Sequence, residues 1–470
     1  MILGRILVLL ALVLIPWRAW AQDPSDHAAD VVITRTAEGW LAVYKLRHDA
    51  RTWVFQRSSI DRVTQKPWRP ESWTVVTPGV SMQRVGSHDV LIAKNGGILP
   101  RNLSFRVKPY PRDLIAEYDP TLTFTNGAQA LFTGHFDIAP VRDGVDLSPV
   151  SYLDDGHLLT AGTGMTLRSP GRTVRIQGRV VHQAEADSAE PTYVLFGSIP
   201  AVDRLESVAI VDPQMPRWIS RQLASEIPRL FAFYTERLGE RSGARPTVMA
   251  SWAGPTPRLQ SMGGSVIGDI VVLRLEGVGV VRESNAIRRS VRQFLAHEGA
   301  HFWVGQTIRY ESPRDGWLTE GSADLLSIRA IGALDPQYDQ KRELNALLGE
   351  CVALLPEGPM TTAPERNKVR TNYACGAMLG LIAEAAAKKS GGDFFSFWRT
   401  LIDANRADKV VTMNEWLIHL STLSGDRSLA RDIRRLLLEE VDEPAALLAS
   451  LFDRAGVAYG RDATGRMTLA

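Results

Sequence analysis

The stretch Phe294-Leu295-Ala296-His297-Glu298-Gly299-Ala300-His301-Phe302-Trp303 decides how the rest of the chain is read. On a helix, residues i and i+4 lie one above the other on the same face. His297 and His301 then offer two imidazole nitrogens to a single metal ion. Glu298, one position on, stands beside that ion rather than on it, where its carboxylate can take a proton from water. Gly299-Ala300 is expected to keep the face beside the metal small. A bare His-Glu-x-x-His arises by chance in roughly one chain of this size in a hundred. The plainer alternative is three polar side chains on a solvated helix face, and the neighbouring sequence has to decide between the two.

Two histidines leave zinc short of ligands, and a catalytic zinc takes a third protein ligand while keeping its fourth position open. The segment Trp317-Leu318-Thr319-Glu320-Gly321-Ser322-Ala323-Asp324 supplies a carboxylate, Glu320, 19 positions after His301. One helical turn later comes Asp324. A metal-bound histidine usually gives its other N–H to a carboxylate or carbonyl, so Asp324 is expected to orient His297. The expected centre is one zinc ion per chain on His297, His301 and Glu320, with Glu298 as general base.

Outward from this segment the chain changes character. From about Asp30 to Gly197 it reads as short strands, among them Val31–Thr34, Trp40–Tyr44, Trp73–Val76, Leu122–Thr125, Val174–Gln177 and Tyr193–Phe196. Gly, Pro, Asn and Asp punctuate them at hairpin-like intervals. From Trp218 to Leu238 the pattern is helical, with Pro228 as a break or restart. Strands are expected at Thr247–Ala250 and Ile267–Leu275. Helices follow over 285–304, 317–332, 339–354, 371–389, 393–404 and 412–424, with two more near the end. The fold class is multidomain α+β: an all-β N-terminal domain over 22–200, sandwich or saddle-like, and a mostly helical catalytic domain over 201–470 that opens with a small sheet.

These residues carry a resemblance. His297-Glu298-Gly299-Ala300-His301-Phe302-Trp303-Val304-Gly305-Gln306 is similar to the His-Glu-x-x-His-x-Trp-x-Gly-Asn of the membrane-alanyl-aminopeptidase family of gluzincins. Trp317-Leu318-Thr319-Glu320-Gly321 resembles that family's Trp-Leu-Asn-Glu-Gly, and the glycyl-aminopeptidase relatives share the pattern. The resemblance implies a β N-terminal domain followed by a thermolysin-like catalytic domain. It also implies a role for Tyr373: Tyr373-Ala374-Cys375-Gly376 stands where the family has Tyr-x-Lys-Gly, with Cys375 in place of lysine. A phenol there can donate a hydrogen bond to the oxyanion of the tetrahedral intermediate. The other reading of Tyr373 is a half-buried tyrosine at a helix start.

The resemblance fails at one place. The family's Gly-x-Met-Glu-Asn supplies a glutamate that binds the substrate's free amine. Here the stretch is Ser261-Met262-Gly263-Gly264-Ser265, and Gly264 stands where the glutamate would be. Gly263 and Gly264 either admit a substrate backbone at close range or form a plain loop. Asp269, Glu276 and Glu283 are possible substitutes for the missing acid. The leading function is therefore zinc-dependent hydrolysis of peptide bonds, aminopeptidase-like without its amine anchor. Its rivals are an endopeptidase of the same fold, a zinc hydrolase acting on another bond, and a non-catalytic zinc-stabilised scaffold.

The termini and composition narrow the setting. Arg5, the apolar run Ile6–Trp17 and Ala19-Trp20-Ala21 read as a signal peptide over 1–21, too short to span a bilayer comfortably. Export to a periplasm or to the outside follows as the expectation. Removing that segment takes away Arg5 and Arg18 and no acid, which brings the formal charge from +2 to 0. A neutral chain gives no electrostatic reason for a nucleic-acid or anionic-membrane partner, so a peptide or protein substrate is the expected partner. Cys351 and Cys375 are the two cysteines. Spacing leaves a disulfide and two buried thiols equally open.

Overall fold

The computed structural model describes residues 27–115, 117–148, 162–204 and 207–470. The signal peptide expected over 1–21 lies outside them. Alternation builds the N-terminal part. In Trp40–Leu46, Trp40, Ala42, Tyr44 and Leu46 are buried while Val43 and Lys45 face solvent, the period of a half-buried strand. Three sheets result, of six, four and five strands. They enclose a core of Trp40, Tyr44, Trp53, Phe55, Trp73, Phe105 and their neighbours. One helical turn, α1 (Arg69–Ser72), interrupts the strands.

The second part opens with a sheet of five strands in the order Ala201–Asp203, Val208–Val211, Thr247–Trp252, Ile270–Glu276, Ser261–Ile267. The three inner strands are parallel and the last is antiparallel to its neighbour. Both faces are covered, as parallel strands require. Val271, Leu273 and Leu275 pack into the helical core, whereas Ile270 and Val272 pack against Leu122, Phe124 and Tyr193 of the β part. The alternating residues of one strand thus join the two halves of the molecule.

Nine helices follow among the described residues: α2 (Arg217–Leu238), α3 (Asn285–Ala300), α4 (Gly316–Leu334), α5 (Gln340–Leu354), α6 (Arg370–Lys388), α7 (Phe394–Ala404), α8 (Met413–Ser424), α9 (Arg427–Leu438) and α10 (Pro444–Ala455). α3 starts at Ser284, whose hydroxyl accepts from the Ile287 N–H at 3.2 Å, satisfying one of the first-turn donors. Among the described residues, no helix is long and apolar enough to cross a membrane.

Four expectations are corrected. Pro228 does not break α2, which runs unbroken across it; Leu223, Ile227, Leu230, Phe231 and Tyr234 bury one face and outweigh the lost hydrogen bond. The strand expected over Ile267–Leu275 is two strands, turned at Gly268-Asp269, and the glycine-rich Ser261–Ile267 is a strand rather than a loop. The metal-site helix was expected to reach residue 304 but ends at Ala300. There the chain tightens, with the Trp303 N–H on the Ala300 carbonyl at 2.9 Å, and turns away at Gly305, whose φ of 142° suits glycine.

Candidate metal centre

His297 sits in the last turn of α3 and His301 is the residue that caps it, still in helical conformation. Stacking by one turn therefore survives the early end of the helix. Their Nε2 atoms lie 3.2 Å apart. α4 brings Glu320 over them, its Oε2 at 3.3 Å from His297 Nε2 and 3.4 Å from His301 Nε2. These three residues form a group whose ligand atoms all lie within 4.8 Å of one another. Three lone pairs turned to one point, one of them on a carboxylate, call for a cation at their centre.

The far sides of both imidazoles are fixed. His297 Nδ1 donates to Asp324 Oδ1 at 2.7 Å, and His301 Nδ1 to the Val304 carbonyl at 3.1 Å. A carboxylate and a carbonyl can only accept, so each holds the proton on Nδ1 and turns the Nε2 lone pair inward. Glu320 Oε2 is buried without a hydrogen-bond partner. A buried carboxylate oxygen left unpaired is costly, and a metal ion satisfies it. The donor set of two neutral imidazoles and one carboxylate fits zinc.

Glu298 is buried beside this group. Burial pushes its carboxyl up, opposed by His297 and His301 and reinforced by Glu320 and Asp324. Tyr373, in the first turn of α6, stacks on the His297 ring, centroids 5.6 Å apart at 14°. The charge of Glu320, then burial, then the charge of Glu298 hold its phenol well above the ordinary value. It stays an O–H donor. The Arg370 guanidinium lies over the same ring, 4.8 Å from its centroid.

Two glycines bring the helices together. A Cβ on Gly321 would fall 2.5 Å from the Ala377 nitrogen and closer still to the Gly376 backbone; a Cβ on Gly376 would fall 2.6 Å from the Trp317 carbonyl oxygen. α4 and α6 therefore cross backbone on backbone, and this crossing sets Glu320 and Tyr373 on the same centre. The disulfide Cys351–Cys375 ties α5 to α6 two residues beyond Tyr373, which resolves the alternative left open by spacing. Gly299 does not shape the metal side: its missing Cβ would point at Phe231 and Tyr234 of α2, at 3.4 Å. It admits α2, not substrate, because the face that bears it is turned to the core.

Gly263 and Gly264 lie on the outer strand of the sheet. A Cβ on Gly264 would collide with the Val272 carbonyl oxygen and stand 2.5 Å from the tip of the Phe294 ring. Phe294 lies one turn before Glu298 on α3, so an aromatic ring fills the space a side chain at 264 would need. Gly263 has Asp113 Oδ1 3.3 Å from its ideal Cβ position. The possible substitutes for the missing acid are engaged elsewhere. Asp269 pairs with Arg241 at 3.5 Å, Glu276 with Arg258 at 3.3 Å, and Glu283 with Arg288. Sequence reasoning did not find the residues that close this end of the sheet, Asp113, Tyr118 and Asp119; they come from the β part, and no motif marks them.

No protein-family model and no curated protein matches the chain. Among solved structures it is similar to an aminopeptidase N family protein from Idiomarina loihiensis, with a TM-score of 0.61 and 12% identity, over 92% of this chain and 79% of that one. It is also similar to native yeast LTA4 hydrolase, with a TM-score of 0.51 and 12% identity, over 87% of this chain and 67% of that one. The likeness is one of fold. The chain has the fold of the membrane-alanyl-aminopeptidase type of gluzincin, a many-stranded β part followed by a helical part.

Proposed function

We propose that the chain is an exported zinc-dependent peptidase that works on the amino end of its substrates. The observation that carries this reading is the convergence of His297, His301 and the unpaired Glu320 oxygen beside a buried carboxylate that no ligand role uses, Glu298. The similar solved structures support it, since one is described as an aminopeptidase N family protein. Zinc held by these three residues would polarise the scissile carbonyl and acidify water beside it.

The chain's own groups supply the rest. Glu298 takes a proton from the attacking water and passes it to the leaving amine nitrogen; its raised carboxyl suits both transfers. The Tyr373 phenol donates to the oxygen of the former carbonyl as negative charge builds there. Asp324 and the Val304 carbonyl keep the two imidazoles in the ligating tautomer. A scaffold would have no use for a base and a phenol aimed at the same point.

Export is proposed from residues 1–21, and the Cys351–Cys375 disulfide supports it, because disulfides persist in oxidising compartments such as a periplasm or the extracellular space. The domain limits proposed are 22–200 and 201–470; the sheet that precedes the helices begins at Ala201. The test is a mixed peptide library digested by the mature protein and read by mass spectrometry, with Glu298→Gln as control. Loss of residues from amino ends in the wild type alone supports the reading. Cleavage that persists in the control, or no cleavage by zinc-loaded wild type, overturns it.

A further inference from the structure

The outer strand Ser261–Ile267 shows where the cleft is open and where it stops. It is joined to Ile270–Glu276 by the two-residue turn Gly268-Asp269, with Ile267 opposite Ile270. The closing pair of such a hairpin exchanges both hydrogen bonds, and bonded and non-bonded pairs alternate from there. Ile267, Ser265, Gly263 and Ser261 therefore turn their peptide groups into the sheet. Val266, Gly264 and Met262 turn theirs to the outer edge, which no further strand covers among the described residues.

One of those outward groups is already occupied. The Tyr118 hydroxyl donates to the Val266 carbonyl at 3.1 Å, across 148 residues of sequence. Tyr118 belongs to the β part, where its ring packs on Phe132 at 4.8 Å and lies under the Arg57 guanidinium at 5.8 Å. Burial, opposed by Arg57, holds its phenol protonated, with Glu117 and Glu298 adding to the effect. The ring stands at the end of the strand whose Gly264 lies against Phe294, one turn before the proposed base on α3.

A peptide lying antiparallel on this edge runs from the Val266 end toward the Ser261 end. Two residues separate Gly264 from Val266, about 7 Å of strand. On the amino side of a peptide group opposite Gly264, no more than about two residues fit before the Tyr118 ring. Among the described residues, the carboxylates at this end already have guanidinium partners that neutralise them. Glu117 is gripped by Arg57 through both oxygens, at 3.0 and 3.2 Å. Asp113 and Asp119 share Arg274. Position 264 admits no side chain.

We infer that Tyr118, braced on the Val266 carbonyl, is the specificity-determining wall of this cleft: it selects the amino end by blocking the chain beyond it, in place of a carboxylate that binds the amine. The inference rests on the peptidase reading. It makes the substrate class peptides with a free path to their first residues, charged or uncharged at the terminus. Gly264 and Phe294 then belong to the same device, since they leave the edge flat for backbone and exclude an acid from it.

The test uses the zinc-loaded mature protein and a matched pair of peptides, one with a free terminal amine and one with that amine replaced by hydrogen. Equal trimming within about threefold in kcat/KM is expected, whereas a charge anchor would cost the second peptide roughly a hundredfold or more. A third peptide, lengthened at its amino end, is followed by mass spectrometry. Wild type and Tyr118→Phe, which keeps the ring, are expected to shorten it from the end; Tyr118→Ala is expected to release internal fragments as first products. A hundredfold loss on the uncharged peptide overturns the inference, as do unchanged cut positions in a folded Tyr118→Ala. Should that variant not fold, the matched pair still decides in the wild type. No cleavage of the free-amine peptide overturns the peptidase reading itself, a result distinct from the other two.

Discussion

The crossing of α4 and α6 and the outer edge of the five-stranded sheet serve one centre by different means. At the crossing, Gly321 and Gly376 let two backbones touch, and Glu320 and Tyr373 sit beside the contact on the same short segments, facing the histidines and the base on α3. At the edge, the group that closes the cleft comes from another part of the molecule, and its hydrogen bond to Val266 spans 148 residues. Reactive groups are thus written in local sequence, while selection among substrates is written in a long-range contact. Changes at the first region should cost turnover. Changes at the second should cost stability or move the point of cleavage.

The largest effect is expected from Glu298→Gln, which keeps the shape of the side chain and removes the base: kcat falls by about 10²–10⁴-fold with zinc content unchanged, measured by steady-state kinetics and metal analysis. Tyr373→Phe should lower kcat by about 10²–10³-fold with KM little altered; a rise in KM alone would move Tyr373 from the oxyanion to substrate binding. Asp324→Asn loosens the hold on His297 and should weaken zinc by about 10–100-fold, read by competition with a chelator. Gly321→Ala forces the two backbones apart and should cost about 1–3 kcal/mol in denaturant unfolding; an unchanged midpoint would show that the helices do not need their contact.

The smallest effect lies at the edge. One guanidinium, Arg274, serves both Asp113 and Asp119. Burial pushes the Asp119 carboxyl up to about 7, against the pull of Arg274 and with the push of Asp113. Below the ordinary value of 3.8 the group is protonated in both folded and unfolded chains. As pH rises, the unfolded chain gives up its proton first, so the stability owed to this group is present in acid and is lost as pH climbs toward 7. Asp119→Asn should flatten the fall in Tm over that window. Parallel Tm curves for the two proteins would remove Asp119 from the pH dependence.

The metal cluster was legible because each half of it is local. His297 and His301 are one turn apart, and Trp317-Leu318-Thr319-Glu320-Gly321 names its own helix. Even the crossing left a trace, a glycine directly after Glu320 and another one turn after Tyr373. Strands such as Trp40–Tyr44 were legible as short β-prone runs between turn residues, and the structure carries that one on to Leu46. What stayed hidden depended on contacts between distant segments. Ser261–Ile267 reads as a loop because two glycines carry no β preference, yet its pairing with Ile270–Glu276 makes it a strand. Pro228 reads as a break because sequence does not show how much of α2 is buried. Cys351 and Cys375 could be joined only once α5 and α6 were seen side by side. Tyr118 carries no motif, since a phenol on a carbonyl needs only a partner in space.

The most direct test of the zinc-peptidase reading is a metal titration. The mature protein is stripped with a chelator, returned to buffer, and given zinc in steps while the release of residues from a free-amine peptide is followed. Hydrolysis absent in the stripped protein and rising in proportion to zinc, to a plateau at one ion per chain, is the expected result. Undiminished hydrolysis without metal, or full occupancy of the His297, His301 and Glu320 site with no hydrolysis, would contradict it.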